Sequence, residues 1–244
     1  MTKQGLYDKI GENLLIEENA MRLLLVRHGQ TDLNVQKRLQ GSSEIPLNAR
    51  GREQAALTHE YVKEHDLLPT KLISSPLGRA IETGAIIAGI DLSEYRDKEI
   101  TAEYMPSGIE LEPDLIEMAC GIYEQRNMEK EKPEFLTECF DRPEGYNPPK
   151  DGECYDEVVA RAGNVVEKLR GRIAAGEFLD DDIVMLVSHG ALSHGMFEYL
   201  KKTPRNQYWA VDFNNCAIAE LFIGVDRSQD DYKFISDGFE RNWR

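Results

Sequence analysis

Residues 21–34 read MRLLLVRHGQTDLN, and residues 183–192 read IVMLVSHGAL. Each is an apolar run of strand length that ends abruptly in a His-Gly pair. Short runs of Leu, Val and Ile without polar alternation mark buried strands, which belong to a mainly parallel sheet between layers of helices. The surrounding sequence fits that pattern. Asn48 can cap a helix running to about His65, with Ala55, Ala56, Tyr61 and Val62 at helical spacing. Lys71 to Ser74 (KLIS) returns as a strand, Pro76 suits the first turn of a following helix, and Ala80 to Ala88 continues it. Farther on, Glu153 to Ala175 is a long helical pattern stopped by Gly176, and Cys216 to Ile223 forms another strand. Helices in the connections are what parallel pairing requires. The expected fold is α/β and three-layered, a mainly parallel sheet flanked by helices.

Two segments break the alternation. Residues 115–152 are rich in Glu, Lys and Pro with scattered aromatics and are too long for a bare loop, so a partly helical insertion over the carboxyl ends of the strands is expected there. Residues 1–20 precede a methionine directly before the first strand and read as an N-terminal extension to a main domain over 21–244.

Of the 244 residues 41% are apolar, as in a folded soluble protein, and 44 acidic against 29 basic residues give a net charge of −15. Such a surface repels phosphate backbones and anionic headgroups, so neither nucleic acid nor a membrane is an expected partner. No apolar run approaches the roughly 20 residues of a membrane span, and Met1 to Ala20 holds no signal-peptide core, so the expected address is cytoplasmic. Cys120, Cys139, Cys154 and Cys216 match no zinc or disulfide pattern and are expected as reduced thiols.

In a doubly wound sheet, ligands bind beyond the carboxyl ends of the strands. The first strand places Arg27, His28 and Gly29 at its tip, with Asn34 six residues past the histidine; the second places His189 and Gly190. KLISS leads into PLGRAIET and puts Arg79 one turn into the next helix. Two histidines, two arginines and an asparagine can thus converge at one edge of the sheet. Guanidinium donors match oxyanion geometry in pairs, so this set suits a dianionic tetrahedral group, with phosphate the obvious guest. A neutral imidazole whose other N–H is held by a carbonyl can attack phosphorus, and the remaining histidine, if protonated, would add a donor. Taken singly, Arg79 reads equally as a surface arginine, Asn34 as a turn former and His189 as a core histidine. Their joint placement at strand ends is what points to a site. His189 and His194 are five apart and make a poor metal pair. His59 and His65 read as solvated, and Tyr208, Trp209 and Phe213 as core packing, with Tyr208 also able to face a ligand.

The segments LLLVRHGQTDLNVQKRLQG, PLNARGREQA, SSPLGRAIETG and VSHGAL together resemble the histidine phosphatase superfamily, in the branch that includes cofactor-dependent phosphoglycerate mutase. The resemblance covers most of residues 21–224 and implies the same kind of α/β fold for a catalytic domain over 21–244. It implies that His28 is the phosphorylated nucleophile, that Arg27, Asn34, Arg79 and His189 hold the phosphoryl group, and that Gln40 and Gly41 line the substrate side. It also implies an enzyme without metal or cofactor, acting on a small phosphorylated substrate. The family's proton donor usually sits in a stretch like L-x-E-x-x-x-G. PDLIEMACGIYE puts Glu117 and Gly121 at that spacing, with Glu124 and Glu103 as alternatives.

Three readings follow: a phosphomonoesterase working through phosphohistidine, a phosphoglycerate mutase using the same intermediate, and a non-catalytic binder of phosphorylated ligands. A binder needs the clamp but neither nucleophile nor acid. Mutases of this family carry basic and aromatic residues directly after the acidic one, where this chain has Met118, Ala119 and Cys120. Residues 118–153 hold nine acidic and five basic residues. That balance favours the phosphatase. The apolar and aromatic residues of the insertion, Ile122, Tyr123, Met128, Phe135, Phe140 and Tyr146, can either contact a substrate or glue the insertion to the body.

Overall fold

The computed structural model describes residues 22–95, 98–224 and 226–238; residues 1–20, read above as an extension, lie outside them. Among the described residues, six strands form one sheet: β1 (Arg22–Arg27), β2 (Lys71–Ser74), β3 (Ile109–Leu111), β4 (Ile183–Ser188), β5 (Ile218–Phe222) and β6 (Asp231–Ser236). Their order is β3-β2-β4-β1-β5-β6. The first four strands run parallel, while β5 is antiparallel to β1 and β6 to β5. The longer helices are α1 (Ala49–Glu64), α2 (Gly78–Ile87), α3 (Tyr155–Ala174) and α4 (Gly190–Lys201).

Alternate side chains of a strand point to opposite faces. Leu24 and Val26 of β1 and Met185 and Val187 of β4 pack with Ala55 and Val62 of α1 and with Ala80, Ile81 and Ala85 of α2. Leu23, Leu25, Val184 and Leu186 pack on the other face with Val158, Val165 and Val166 of α3 and with Leu192 and Met196 of α4. Both faces are covered, which is why these strands lack polar alternation. Burying each leucine contributes roughly 2–3 kcal/mol, so any slip in pairing would be costly. The register sets Arg27 opposite Ser188, and His28 and His189 therefore leave the sheet side by side.

α1 begins where expected, with the Asn48 side chain accepting from Gly51 N at 2.8 Å, although Ala56 faces solvent. α2 starts later than expected: Leu77 is its capping residue and Pro76 lies before the helix, because Ser75 to Leu77 turn the chain out of β2. The strand expected from Cys216 starts at Ile218, since Cys216 turns the chain with φ at 58°. β3 and β6 were not foreseen.

The ends of the insertion are pinned together by an antiparallel bridge between Cys120 and Gly152. Between them run short helical turns, including Gly121–Tyr123, Pro133–Leu136 and Pro143–Gly145. Aromatic contacts hold these turns to the body: Tyr123 to Phe135 at 4.8 Å, Phe135 to Tyr146 at 5.8 Å and Tyr146 to Tyr155 at 5.0 Å between ring centres. The insertion is partly helical and stands over the carboxyl ends of β1 and β4, as expected. Among the described residues no helix is long and apolar enough to cross a membrane.

Candidate active site

A cleft of about 290 Å³ opens where β1 and β4 end, between the sheet and the insertion. Arg27, His28, Asn34, Gln40, Gly41, Arg79 and Glu117 all line it. His189 stands directly behind, its ring centre 5.0 Å from that of His28. The fold thus brings all eight anticipated residues together.

His28 is buried, and its Nδ1 lies 2.7 Å from the carbonyl of Gly29. A carbonyl can only accept, so Nδ1 carries the proton and Nε2 the lone pair. Burial, then the charges of Arg79 and Arg27, hold the ring's pKa well below that of a free imidazole, against the Gly29 carbonyl, which pulls it up. The backbone is fixed on both sides: His28 N donates to Ser188 O at 2.9 Å, and Asn215 Nδ2 donates to His28 O at 2.7 Å. Gly29 N donates to Thr83 Oγ1 at 2.9 Å. The backbone of Gly29 and Gln30 also packs against Gly51 at the start of α1, an approach that needs glycine on both sides. A Cβ on Gly29 would stand 2.6 Å from Gly51 O, and one on Gly51 only 2.1 Å from Gln30 O.

Arg79 is fully buried and is anchored by Nη1 to Ser43 O at 2.7 Å and by Nη2 to Gly41 O at 2.8 Å, while its Nε–H is buried without a partner among the described residues. Burial pulls its pKa down to about 10, opposed by Glu117, Glu44 and Glu124, so the group stays charged at neutral pH. Arg27 Nη1 donates to Phe213 O at 2.8 Å. Asn34 Oδ1 accepts from Thr31 N at 3.0 Å, which leaves its amide N–H groups as what it can offer a ligand, and Gln40 Oε1 accepts from Thr31 Oγ1 at 2.8 Å. His189 is buried, with Nε2 at 2.7 Å from Ser75 Oγ; burial first, then Arg79, His28 and Arg27, lower its pKa well below the free value. The protonated form considered for the second histidine is therefore disfavoured in this site.

The Glu117 carboxylate sits at the amino end of α4. Oε1 accepts from Met118 N at 2.8 Å and Leu192 N at 3.2 Å, and Oε2 from Ala191 N at 3.2 Å. Its segment is clamped by Arg161, which donates through Nη1 to the carbonyls of Asp114 and Ile116 at 2.9 and 3.0 Å and pairs with Glu153 at 2.7 Å, while Glu153 accepts from Ala119 N at 2.8 Å. The two alternatives are placed elsewhere. Glu124 is occupied in tying Ser42, Ser43 and Cys120 N together, and Glu103 is exposed.

Beyond the end lined by Arg27, His28 and Arg79, the cleft wall is Leu39, Met118, Cys120, Phe135, Cys139, Phe140, Tyr146 and Trp209, with the exposed Arg38 beside it. Burial raises the thiol pKa of Cys120 and takes that of Cys139 to about 11, so both stay protonated. Of the other insertion side chains, Ile122 is exposed and Tyr123 packs on Phe135; the Met128 side chain is outside what the structure describes. Sequence reasoning missed Arg38 and Trp209. Trp209 faces the cleft because its Nε1 is drawn to Cys139 O at 3.2 Å and Tyr155 Oη at 2.9 Å. Tyr208 does not line the cleft; it is buried and donates to Ala191 O at 2.6 Å. His65 is exposed, but His59 is half-buried with Nδ1 at 2.8 Å from Ile87 O, a correction to its solvated reading.

A family model described as the histidine phosphatase superfamily (branch 1) matches residues 23–230. The probable phosphoglycerate mutase GpmB of Photorhabdus laumondii is 29% identical over 204 residues, covering 82% of this chain and 84% of that protein. The broad-specificity phosphatase YOR283W of Saccharomyces cerevisiae is 27% identical over 220 residues, covering 90% and 85%. A mycobacterial glucosyl-3-phosphoglycerate phosphatase in complex with VO3 shares the fold, with a TM-score of 0.66 at 24% identity over 88% of this chain and 98% of that one. The match runs through both His-Gly strand tips and nearly the whole described fold, and the chain belongs to branch 1 of the histidine phosphatase superfamily.

Proposed function

We propose that this chain is a metal-independent phosphomonoesterase that works through a phosphohistidine on His28. The observation that carries this reading is the state of His28: Nδ1 committed to the Gly29 carbonyl, and a ring kept neutral by burial and two guanidinium groups. Its Nε2 lone pair is therefore available to attack phosphorus at neutral pH. Arg27, Arg79, the Asn34 amide and His189 hold the phosphoryl oxygens as charge develops on them. The P–O bond to the alcohol breaks as the P–N bond forms, and Glu117, entering this step as the carboxylic acid, gives its proton to the departing oxygen. Water then attacks phosphorus, Glu117 takes its proton, and the P–N bond breaks to release phosphate and restore His28.

A mutase must grip a small acid at both ends. Past the phosphate clamp the wall is apolar and aromatic, with Arg38 as its one cationic lining residue among the described residues. That favours phosphate release from esters of uncharged or apolar alcohols. Similarity to the yeast broad-specificity phosphatase supports a phosphatase, whereas similarity to the probable phosphoglycerate mutase of Photorhabdus keeps the mutase as the second reading. The test is a panel of phosphate esters assayed for both phosphate release and isomerisation. An aryl phosphate should show a higher kcat/KM than 3-phosphoglycerate, with little mutase turnover when 2,3-bisphosphoglycerate is supplied. Isomerisation outpacing release would move the chain to the mutase class.

A further inference from the structure

The two site histidines are held by partners of opposite capacity. His28 Nδ1 faces a carbonyl, which fixes its tautomer without choice. His189 Nε2 instead faces the hydroxyl of Ser75 at 2.7 Å, a group that can donate or accept. Ser75 is fully buried at the end of β2, its own N–H donating to Val187 O at 2.9 Å, and its Oγ accepts from Leu77 N at 3.3 Å. The backbone that turns from β2 into α2 thus aims a proton at Ser75 Oγ and so leaves the hydroxyl hydrogen to go elsewhere. His189 Nε2 is the acceptor within reach. The other ring nitrogen, Nδ1, is buried without a partner among the described residues. A buried polar atom left unmatched costs roughly 1–3 kcal/mol unless a ligand completes it.

We propose that Ser75 is a positioning residue: its hydroxyl donates to Nε2 of His189 and so keeps the ring's single proton on Nδ1, which gives it as a hydrogen bond to a phosphoryl oxygen. This rests on the proposed function only in taking that oxygen as the ligand. With the opposite tautomer, Ser75 Oγ would receive two donors and its own hydrogen would have no acceptor, while Nδ1 would present a lone pair to an oxyanion. The arrangement lets an uncharged ring act as a donor, so the site needs no imidazolium beside Arg27 and Arg79. Two neutral histidines then divide the work by tautomer, a lone pair from His28 and an N–H from His189.

The test reads the tautomer directly, by long-range proton–nitrogen correlation on the full chain with 15N-labelled histidine, with and without saturating inorganic phosphate. The expected result is a neutral His189 with the proton on Nδ1, and an Nδ1 signal that moves when phosphate binds. A proton on Nε2 alone, protons on both nitrogens, or a ring indifferent to phosphate overturns the proposal. Ser75→Ala is the second arm: kcat should fall by roughly tenfold, the scale of one lost neutral hydrogen bond, with KM little changed, and His189 should populate the Nε2–H form. Unchanged kcat with an unchanged tautomer in that variant also overturns it. The spectra need no turnover, so failure of the phosphohistidine mechanism would be seen separately, as absence of phosphorylated His28 in enzyme quenched during turnover.

Discussion

Replacing Glu117 by glutamine separates the proton from the shape of the side chain. In the native site Oε1 accepts from Met118 N and Leu192 N, and Oε2 accepts from Ala191 N. The amide oxygen of glutamine can keep the first two bonds, but its NH2 then meets the Ala191 N–H, donor against donor. One such mismatch costs roughly 1–3 kcal/mol, less than the roughly 5–15 kcal/mol by which domains are stable, so the variant should fold with a lowered Tm. The chemical loss is larger and depends on the alcohol. General acid catalysis is typically worth about 10²–10⁴-fold, but only where the leaving oxygen needs a proton. Accordingly kcat/KM for an alkyl phosphate such as glycerol 2-phosphate should fall by about 10²–10⁴-fold, and that for p-nitrophenyl phosphate by about tenfold or less. Comparing kcat/KM restricts the assay to steps up to alcohol release, so a slowed hydrolysis of phosphohistidine does not blur it. Equal losses with both esters, or none with either, would refute Glu117 as the proton donor.

Turnover should survive EDTA without added magnesium, because the guanidinium groups of Arg27 and Arg79 supply the positive charge; loss on chelation restored by one metal would count against this. Stability should fall as pH drops below about 6.5, since the buried rings of His28 and His189 have lowered pKa values and the unfolded chain then binds protons that the folded one refuses. The slope is at most roughly 1.4 kcal/mol per pH unit for each ring, and urea unfolding between pH 5 and 7.5 measures it; stability that rises toward pH 5 would contradict the neutral assignments. Trp209→Ala should raise KM for an aryl phosphate by about tenfold, the scale of one lost aromatic contact, with much less effect on an alkyl ester; equal effects on both would remove the ring from substrate contact.

β1 and β4 were legible because both their faces are buried, and the resulting apolar runs end visibly in Arg27-His28-Gly29 and His189-Gly190. Asn34, Gln40, Gly41 and Arg79 lie close in sequence to those tips or to β2, so local motif and site coincide. β3 was not legible, since Ile-Glu-Leu is too short to show a period. The direction of β5 was not legible either: a strand's residues are the same whether it runs parallel or antiparallel to its neighbour. Trp209 looked like core because its orientation depends on Cys139 and Tyr155, both distant in sequence. Ser75 and Arg161 act only through other residues, and their geometry exists once the chain is folded.

The central claim is that phosphorus is bonded to His28 during turnover. Enzyme mixed with a 32P-labelled ester and quenched in alkali within milliseconds should carry label that is stable to base and labile to acid, and peptide mapping should place it on the peptide containing His28. His28→Ala should carry none and should retain no more than a few per cent of turnover, on the order of what removing a sole nucleophile leaves, while keeping the native Tm within a few degrees. Label on a serine, a cysteine or His189, or turnover preserved in His28→Ala, would contradict the account.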